Sequence, residues 1–337
     1  MRRRKLPGRL CGSFCRSLLF FLCAAAAVAA FAAPGSAETW PSRPVLVVSP
    51  YSAGNASDII ARLVLDQVSQ HLGQPFVIEN RPGAGGVLGA ASVARADADG
   101  YTLLLGSSSI SSSVILHASL PYDPMRDLSA VVMFGAQPSV LVTSPAKGYK
   151  TVADLVAAAK ARPGELNFAS AGIGSASHVA GEKFRLAAGI NVQHVPYRGP
   201  SEAFADVLGG RIDYYFLPIA PALPVIMQGK VVPLAVSTPQ RLALLPDVPS
   251  IVEAGYPQAT YLFWSGIAAP AKTPRNIIMK LHDEVQTALD SPAIADKLRN
   301  LGVQPMPMTP EEFQKFFADD VTATITLGKA AKIAPTD

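Results

Sequence analysis

From Val45 onward the chain alternates short β-branched runs with longer amphipathic stretches. This rhythm restricts it to successive βα units around a largely parallel sheet more tightly than any other feature. Val45-Leu46-Val47-Val48 reads as a buried strand, residues 50–55 as a turn, and 56–72 as a helix. Ile59, Ile60, Leu63, Val64, Val68 and Leu72 recur there at helical spacing, and Gly73 ends the run. Phe76 to Asn80 reads as the second strand, followed by a glycine-rich loop, 81–86, and a small-residue helix reaching Ala96. A third strand, Tyr101 to Leu105, exits through Gly106 into Ser107, Ser108 and Ser109. An open loop is predicted there, at the carboxyl edge where α/β sheets bind ligands.

A stretch of strand character, 130–143, leads to a second series starting at Thr151. It reads as helix 151–161, strand 166–170, helix 178–188, strand 192–196, helix 201–208, strand 212–216, helix 223–228 and strand 232–236. A proline-rich passage then precedes a strand-like run, 261–268, and helices beginning near Pro274 and Pro310. Those last helices need an apolar surface to cover, and the first series offers one. The expected organisation is a discontinuous first lobe, 38–140 with 259–337, and an inserted second lobe, 141–258.

Residues 1–37 read as a secretion signal. Arg2, Arg3, Arg4, Lys5 and Arg9 precede an apolar run from Leu18 to Ala33, and cleavage is expected after Gly35-Ser36-Ala37. The apolar run is shorter than the roughly 20 residues of a membrane span and ends in Pro34-Gly35. All three cysteines (Cys11, Cys15, Cys23) and six of the 29 Lys and Arg residues lie in this segment, so cleavage leaves 23 basic against 25 acidic residues. The formal charge moves from +4 to −2, and no clustered basic face remains for a nucleic acid. With no cysteine the mature chain relies on its core, not on disulfides.

Two loops carry the functional signal. Tyr51-Ser52-Ala53-Gly54-Asn55-Ala56-Ser57-Asp58 lies between a buried strand and a helix start, where unpaired N–H groups and the helix dipole suit a carboxylate or phosphate. Capping of the helix by Ser57 and Asp58 is compatible with that role. Ser170-Ala171-Gly172-Ile173-Gly174-Ser175-Ala176-Ser177-His178 repeats the pattern in the second series. Together they would form a two-jawed anion clamp, with His178, the one histidine in a candidate ligand loop, read as a helix-start hydrogen-bonder rather than a general base. Tyr197 and Arg198 follow a strand and face either the cleft or solvent. Phe216 shares a strand face with Tyr214. Core packing is the first reading of those rings, and a stacking wall for a cyclic ligand the second.

Catalytic signals are missing from the pattern. Gly83, Gly85, Gly86 and Gly89 do not keep the dinucleotide-binding spacing, and no G-x-S-x-G elbow occurs. The five histidines (His71, His117, His178, His194, His282) form no H-E-x-x-H pair, so no metal and no cofactor are expected.

Several ordered segments carry a resemblance: Trp40-Pro41-Ser42-Arg43-Pro44, Pro50 to Asp58, Glu79-Asn80-Arg81-Pro82-Gly83-Ala84-Gly85-Gly86, Asp99-Gly100-Tyr101, Leu120-Pro121-Tyr122-Asp123-Pro124, Val195-Pro196-Tyr197-Arg198-Gly199 and Pro246-Asp247-Val248-Pro249. Over its mature length the chain resembles the periplasmic substrate-binding subunits of tripartite tricarboxylate transporters, the Bug receptors. The resemblance implies a type II periplasmic-binding-protein fold, two α/β lobes with a ligand cleft between them closing like a Venus flytrap. It further implies a non-enzymatic, monomeric receptor for a small carboxylate, with two membrane subunits as partners. Carried over residue by residue, the ligand set would be Tyr51, Ser52, Ala53, Gly54 and Ser57 with Ser170, Ala171, Gly172 and Ser175; the reading of the loops and strand ends adds Asn55, Asp58, Ser107, Ser108, His178, Tyr197, Arg198 and Phe216 as candidates. Asn55 stands where the family usually has a second glycine, and Leu217 and Pro218 stand where it often has an acid or amide. The latter points away from an amino acid and toward a dicarboxylate or, given Tyr51, Tyr197 and Phe216, an aromatic acid. A sensor feeding a membrane kinase would use the same closure. A secreted hydrolase would need a nucleophile and base pair.

Overall fold

β1 (Val45–Ser49) lies between β2 (Phe76–Asn80) and β3 (Thr102–Ser107), parallel to both, in a computed structural model that describes residues 40–335. The predicted secretion signal lies outside the described residues. The sheet continues through β10 (Phe263–Pro270) to β4 (Leu128–Gln137), giving the order β2-β1-β3-β10-β4. β10 runs antiparallel to both of its neighbours, so the sheet is mixed where a largely parallel one was expected.

The second sheet repeats this plan. β5 (Ser139–Thr143) pairs antiparallel with β8 (Tyr215–Pro218) and β9 (Val232–Val236), while β6 (Asn167–Ser170) pairs parallel with β7 (Gln193–Pro196). A parallel bridge between Phe168 and Tyr214 joins the two groups into the succession β7-β6-β8-β5-β9. In each sheet the antiparallel strand is the one that arrives from the other series: β5 follows β4 across Pro138, and β10 follows the whole second series. A strand entering from the far side runs against strands built by right-handed βα crossovers, a constraint that no local pattern encodes.

The first sheet is covered by its own helices and by the C-terminal helix Pro310–Ala331, whose Phe313 and Phe317 stack edge-on against Trp264. In the second sheet Tyr214 and Phe216 enter one core and Tyr215 and Leu217 the other, the period-two alternation of a strand buried on both faces. Helix Ala56–Leu72 buries Ile60, Ala61, Val64, Leu65 and Val68 and leaves Ile59, predicted as core, 44% exposed.

No loop opens after β3. The strand runs to Ser107, and helix Ser108–Leu116 starts at once with Ser107 as its cap, its Oγ accepting the Ser109 N–H at 3.3 Å. The serines stay helical because Ser112 and Ser113 turn their hydroxyls back onto Ser108 O and Ile110 O, at 3.3 and 2.7 Å. Helix Pro292–Asn300 also went unpredicted, since its apolar positions merge with those of the preceding Arg275–Asp290.

Candidate functional site

The first loop is rigid because its side chains close on its own backbone. The helix cap is Asn55, not Ser57 or Asp58: Asn55 Oδ1 accepts the Asp58 N–H at 3.1 Å and Nδ2 donates to Ser52 O at 2.6 Å. The buried Asp58 carboxylate accepts from Gly54 N (2.9 Å), Arg62 Nε (3.0 Å) and Nη2 (3.1 Å), and Asn80 Nδ2 (2.9 Å). Burial alone would raise its pKa, but these hydrogen bonds outweigh it and hold the carboxyl below the usual range. Asn80 also reaches Tyr51 O at 3.1 Å. Tyr51 OH lies 2.7 Å from Ser107 Oγ, and burial pushes the phenol up to about 12. Tyr261 OH donates to Ser108 Oγ at 3.1 Å.

The second loop leads from β6 into helix Ala176–Ala188, with Ser175 as cap. Ser170 Oγ lies 2.7 Å from His194 Nε2, donates to Gly172 O at 3.1 Å and receives Gly172 N at 3.2 Å. A hydroxyl has one proton and two lone pairs, so Ser170 has nothing left for a ligand. Ser177 Oγ accepts the Ala171 N–H at 3.0 Å, and His178 Nδ1 accepts the Gly174 N–H at 3.0 Å. Ser175 Oγ donates to Gly172 O at 2.7 Å.

Several donors remain free. The N–H groups of Ser52, Ala53, Ala56 and Ser57 in the first loop, and of Ile173, Ala176 and Ser177 in the second, have no acceptor among the described residues. The Ser57 hydroxyl is buried and equally without a partner. Both loops rest on helix Ser108–Leu116. Tyr51 bonds Ser107 at its start, and a Cβ on Gly174 would meet Leu116 Cδ1 at its end. That helix is about 13 Å long at 1.5 Å per residue. A separate cavity of about 220 Å³, lined in part by Met133, Phe134, Leu298 and Val303, contains neither loop.

Residues 60–332 match the family model described as the tripartite tricarboxylate transporter family receptor. The chain belongs to this receptor family. The receptor is 38% identical to the protein BugT of Bordetella pertussis over 297 residues, 88% of this chain and 91% of that one. In three dimensions it resembles an R. palustris protein solved with adipate (TM-score 0.77, 33% identity, 88% of this chain and 99% of that one). It also resembles MatC of Rhodopseudomonas palustris with bound malate (TM-score 0.74, 31% identity, 86% and 100%) and the periplasmic binding protein BugD (TM-score 0.74, 30% identity, 88% and 100%). Its fold is the two-lobed periplasmic-binding fold of these proteins.

In this receptor Tyr51, Ser52, Ala53, Gly54, Asn55, Ser57 and Asp58 come together with Ser107 and Ser108, and Ser170, Ala171, Gly172, Ser175 and His178 form the second loop. Three aromatic positions lie elsewhere than an open wall. Phe216 is 1% exposed and packs edge-on to Phe184 in the core. Tyr197 OH is bound to Asp206 Oδ2 at 2.6 Å, and Tyr51 is engaged by Ser107. Arg198 is exposed, just beyond Tyr197, whose N–H bonds Ser170 O at 3.0 Å. Sequence reasoning missed Asn80, Ser177 and His194, and passed over Tyr261. Ser177 lies within the second loop segment itself, Asn80 within a quoted segment of the resemblance, and Asn80, His194 and Tyr261 reach the loops or their supporting helix through tertiary pairing.

Proposed function

We propose that this receptor captures a small aliphatic dicarboxylate between its two loops and presents it to the membrane subunits of a tripartite transporter. The observation that carries the reading is the set of unpaired N–H groups at the two loop and helix starts, with the Ser57 hydroxyl beside one of them. Such donors at positive helix termini match one carboxylate each. The engaged rings of Tyr51, Tyr197 and Phe216 favour an aliphatic over an aromatic acid, and the relatives seen with adipate and malate support the same class. The lobes, 38–140 with 259–337 against 141–258, close over the ligand in a monomer. The chain is exported to the periplasm and its signal is cleaved after Ala37.

The protein acts without catalysis. Its one serine and histidine contact in the second loop, Ser170 with His194, has a spent hydroxyl, and no carboxylate orients His194 among the described residues. The test is a thermal-shift screen of the chain from Glu38 against mono-, di- and tricarboxylates, aromatic acids, acidic amino acids and sugars. Stabilisation by adipate or malate, recovered unchanged afterward, supports the reading, because a ligand of the native state raises the melting temperature by mass action. Stabilisation by sugars or amino acids alone refutes it, and consumption of the acid revives an enzyme.

A further inference from the structure

Two histidines from different elements shape the second loop: His178 on the first turn of helix Ala176–Ala188, and His194 on β7. We infer that His178 and His194 are a stacked pair of neutral positioning residues, each fixed as its Nε2–H tautomer, that set the N–H donors of the second loop without touching the ligand. The inference rests on the reading of that loop as a ligand site.

The tautomers follow from counting protons. The Gly174 N–H points at His178 Nδ1 at 3.0 Å, so Nδ1 must hold a lone pair and the ring proton must sit on Nε2. This bond fastens a glycine at φ +77°, a conformation that costs free energy for other residues. On the other ring, Ser170 Oγ donates to Gly172 O at 3.1 Å and accepts from Gly172 N at 3.2 Å. With the hydroxyl proton given to Gly172 O, the 2.7 Å contact is a hydrogen bond in which His194 Nε2 is the donor. The two imidazoles stack at 4.1 Å and 17°. His194 continues onto Phe168 at 4.8 Å and Phe168 onto Tyr214 at 5.4 Å, so one ring column ties the loop to β6 and the start of β8.

The surroundings keep both rings uncharged. On the helix carrying His178, Arg185 opposes an imidazolium, and Glu182 is committed to Arg185 at 2.7 Å. From β8 and its approach come the phenols of Tyr214 and Tyr215, the latter bonded to Ser177, and the Asp213 carboxylate, which is paired with Lys147 at 2.8 Å. Burial, then the neighbouring ring and Arg185, bring His178 down to about 3, and burial brings His194 down to about 4. The loop thus keeps one shape across the pH range in which a free histidine changes charge.

The test combines ring spectroscopy with paired variants. Long-range ¹⁵N–¹H correlation spectra of the ligand-free chain from Glu38 should show both rings protonated at Nε2 alone and unchanged from pH 8 to pH 5. An Nδ1–H tautomer on either ring, or titration near 6.5, overturns the inference. Asn carries its Oδ1 close to where His carries Nδ1, and Gln carries its Nε2 close to where His carries Nε2. His178→Asn and His194→Gln should therefore bind adipate or malate within about threefold of the parent, while His178→Ala and His194→Ala lose about tenfold or more, one hydrogen bond's worth. Alanine variants that bind like the parent, or conservative variants as weak as the alanines, refute it. If the parent binds neither acid, the ligand reading fails and hydrogen exchange decides the pair. The Gly174 amide should be protected in the parent and in His178→Asn and exchange faster in His178→Ala; equal exchange in all three overturns the inference.

Discussion

Asp58 shows how one buried charge is tolerated. Its ion pair with Arg62 contributes little, because the Arg62 side chain is 49% exposed and water screens it. The stabilisation comes from the Gly54 N–H, which has no other acceptor among the described residues, and from one of the two Asn80 Nδ2 protons, the other being held by Tyr51 O. Asp58→Ala leaves that N–H and that proton unpaired, and chemical denaturation should show a loss of about 2–3 kcal/mol together with weaker ligand binding. Acid acts on the same scale of single groups. His178 and His194 have native pKa values near 3 and 4, below those of the unfolded chain, so in moderate acid the unfolded state binds more protons. Unfolding free energy should fall as pH drops below about 6.5, by at most ~1.4 kcal/mol per pH unit for each histidine, and the melting temperature should fall with it. Asp58, depressed in the native state, adds its own loss only as pH falls through the low carboxylate range. A parent melting curve that is flat from pH 7 to pH 5, or a His178→Asn, His194→Gln double variant as acid-sensitive as the parent, contradicts this account.

Helix Ser108–Leu116 is the element that relates the two loops, and the sequence 107–113 hid it. A serine run has the composition of a loop, yet Ser107 and Ser108 meet tyrosines, Ser111 the Asp320 carboxylate, and Ser112 and Ser113 backbone carbonyls once the strand has delivered them to the buried edge. At its far end the helix and the second loop are fitted to the atom. A Cβ on Gly174 would lie 2.1 Å from Leu116 Cδ1. Gly174→Ala should lower stability by about 1–3 kcal/mol through this clash and through its positive φ. Leu116→Ala in the same chain should remove the clash and leave the backbone strain, so a double-mutant cycle by urea unfolding should give a clearly positive coupling. Additive losses would place Gly174 away from Leu116. Helix Ala176–Ala188 uses the same device at Gly181, where a Cβ would sit 2.3 Å from the Phe168 ring.

Residues 43–335 form one compact unit although their strands divide between two sheets. Each sheet borrows its antiparallel strand from the neighbouring series, so neither completes its ladder alone. Unfolding should therefore be a single calorimetric transition, with van't Hoff and calorimetric enthalpies agreeing. Ligand capture by N–H groups and a hydroxyl should also be nearly independent of ionic strength, changing by less than about threefold in affinity from 50 to 500 mM NaCl, where capture by paired cations would weaken steeply. What the sequence determined by itself is what short-range spacing controls. The strand and helix rhythm, the two small-residue loops at helix starts and the alternation of Tyr214, Tyr215 and Phe216 all depend on neighbours within a few residues. Tertiary structure decided the rest: the sense of β5 and β10, the burial of Phe216, and which loop N–H groups stayed free. The shape of the loops was settled in part by Asn80 and His194, side chains that reach them from distant strands, and a hydrogen bond is made only when the fold brings its two ends to about 3 Å.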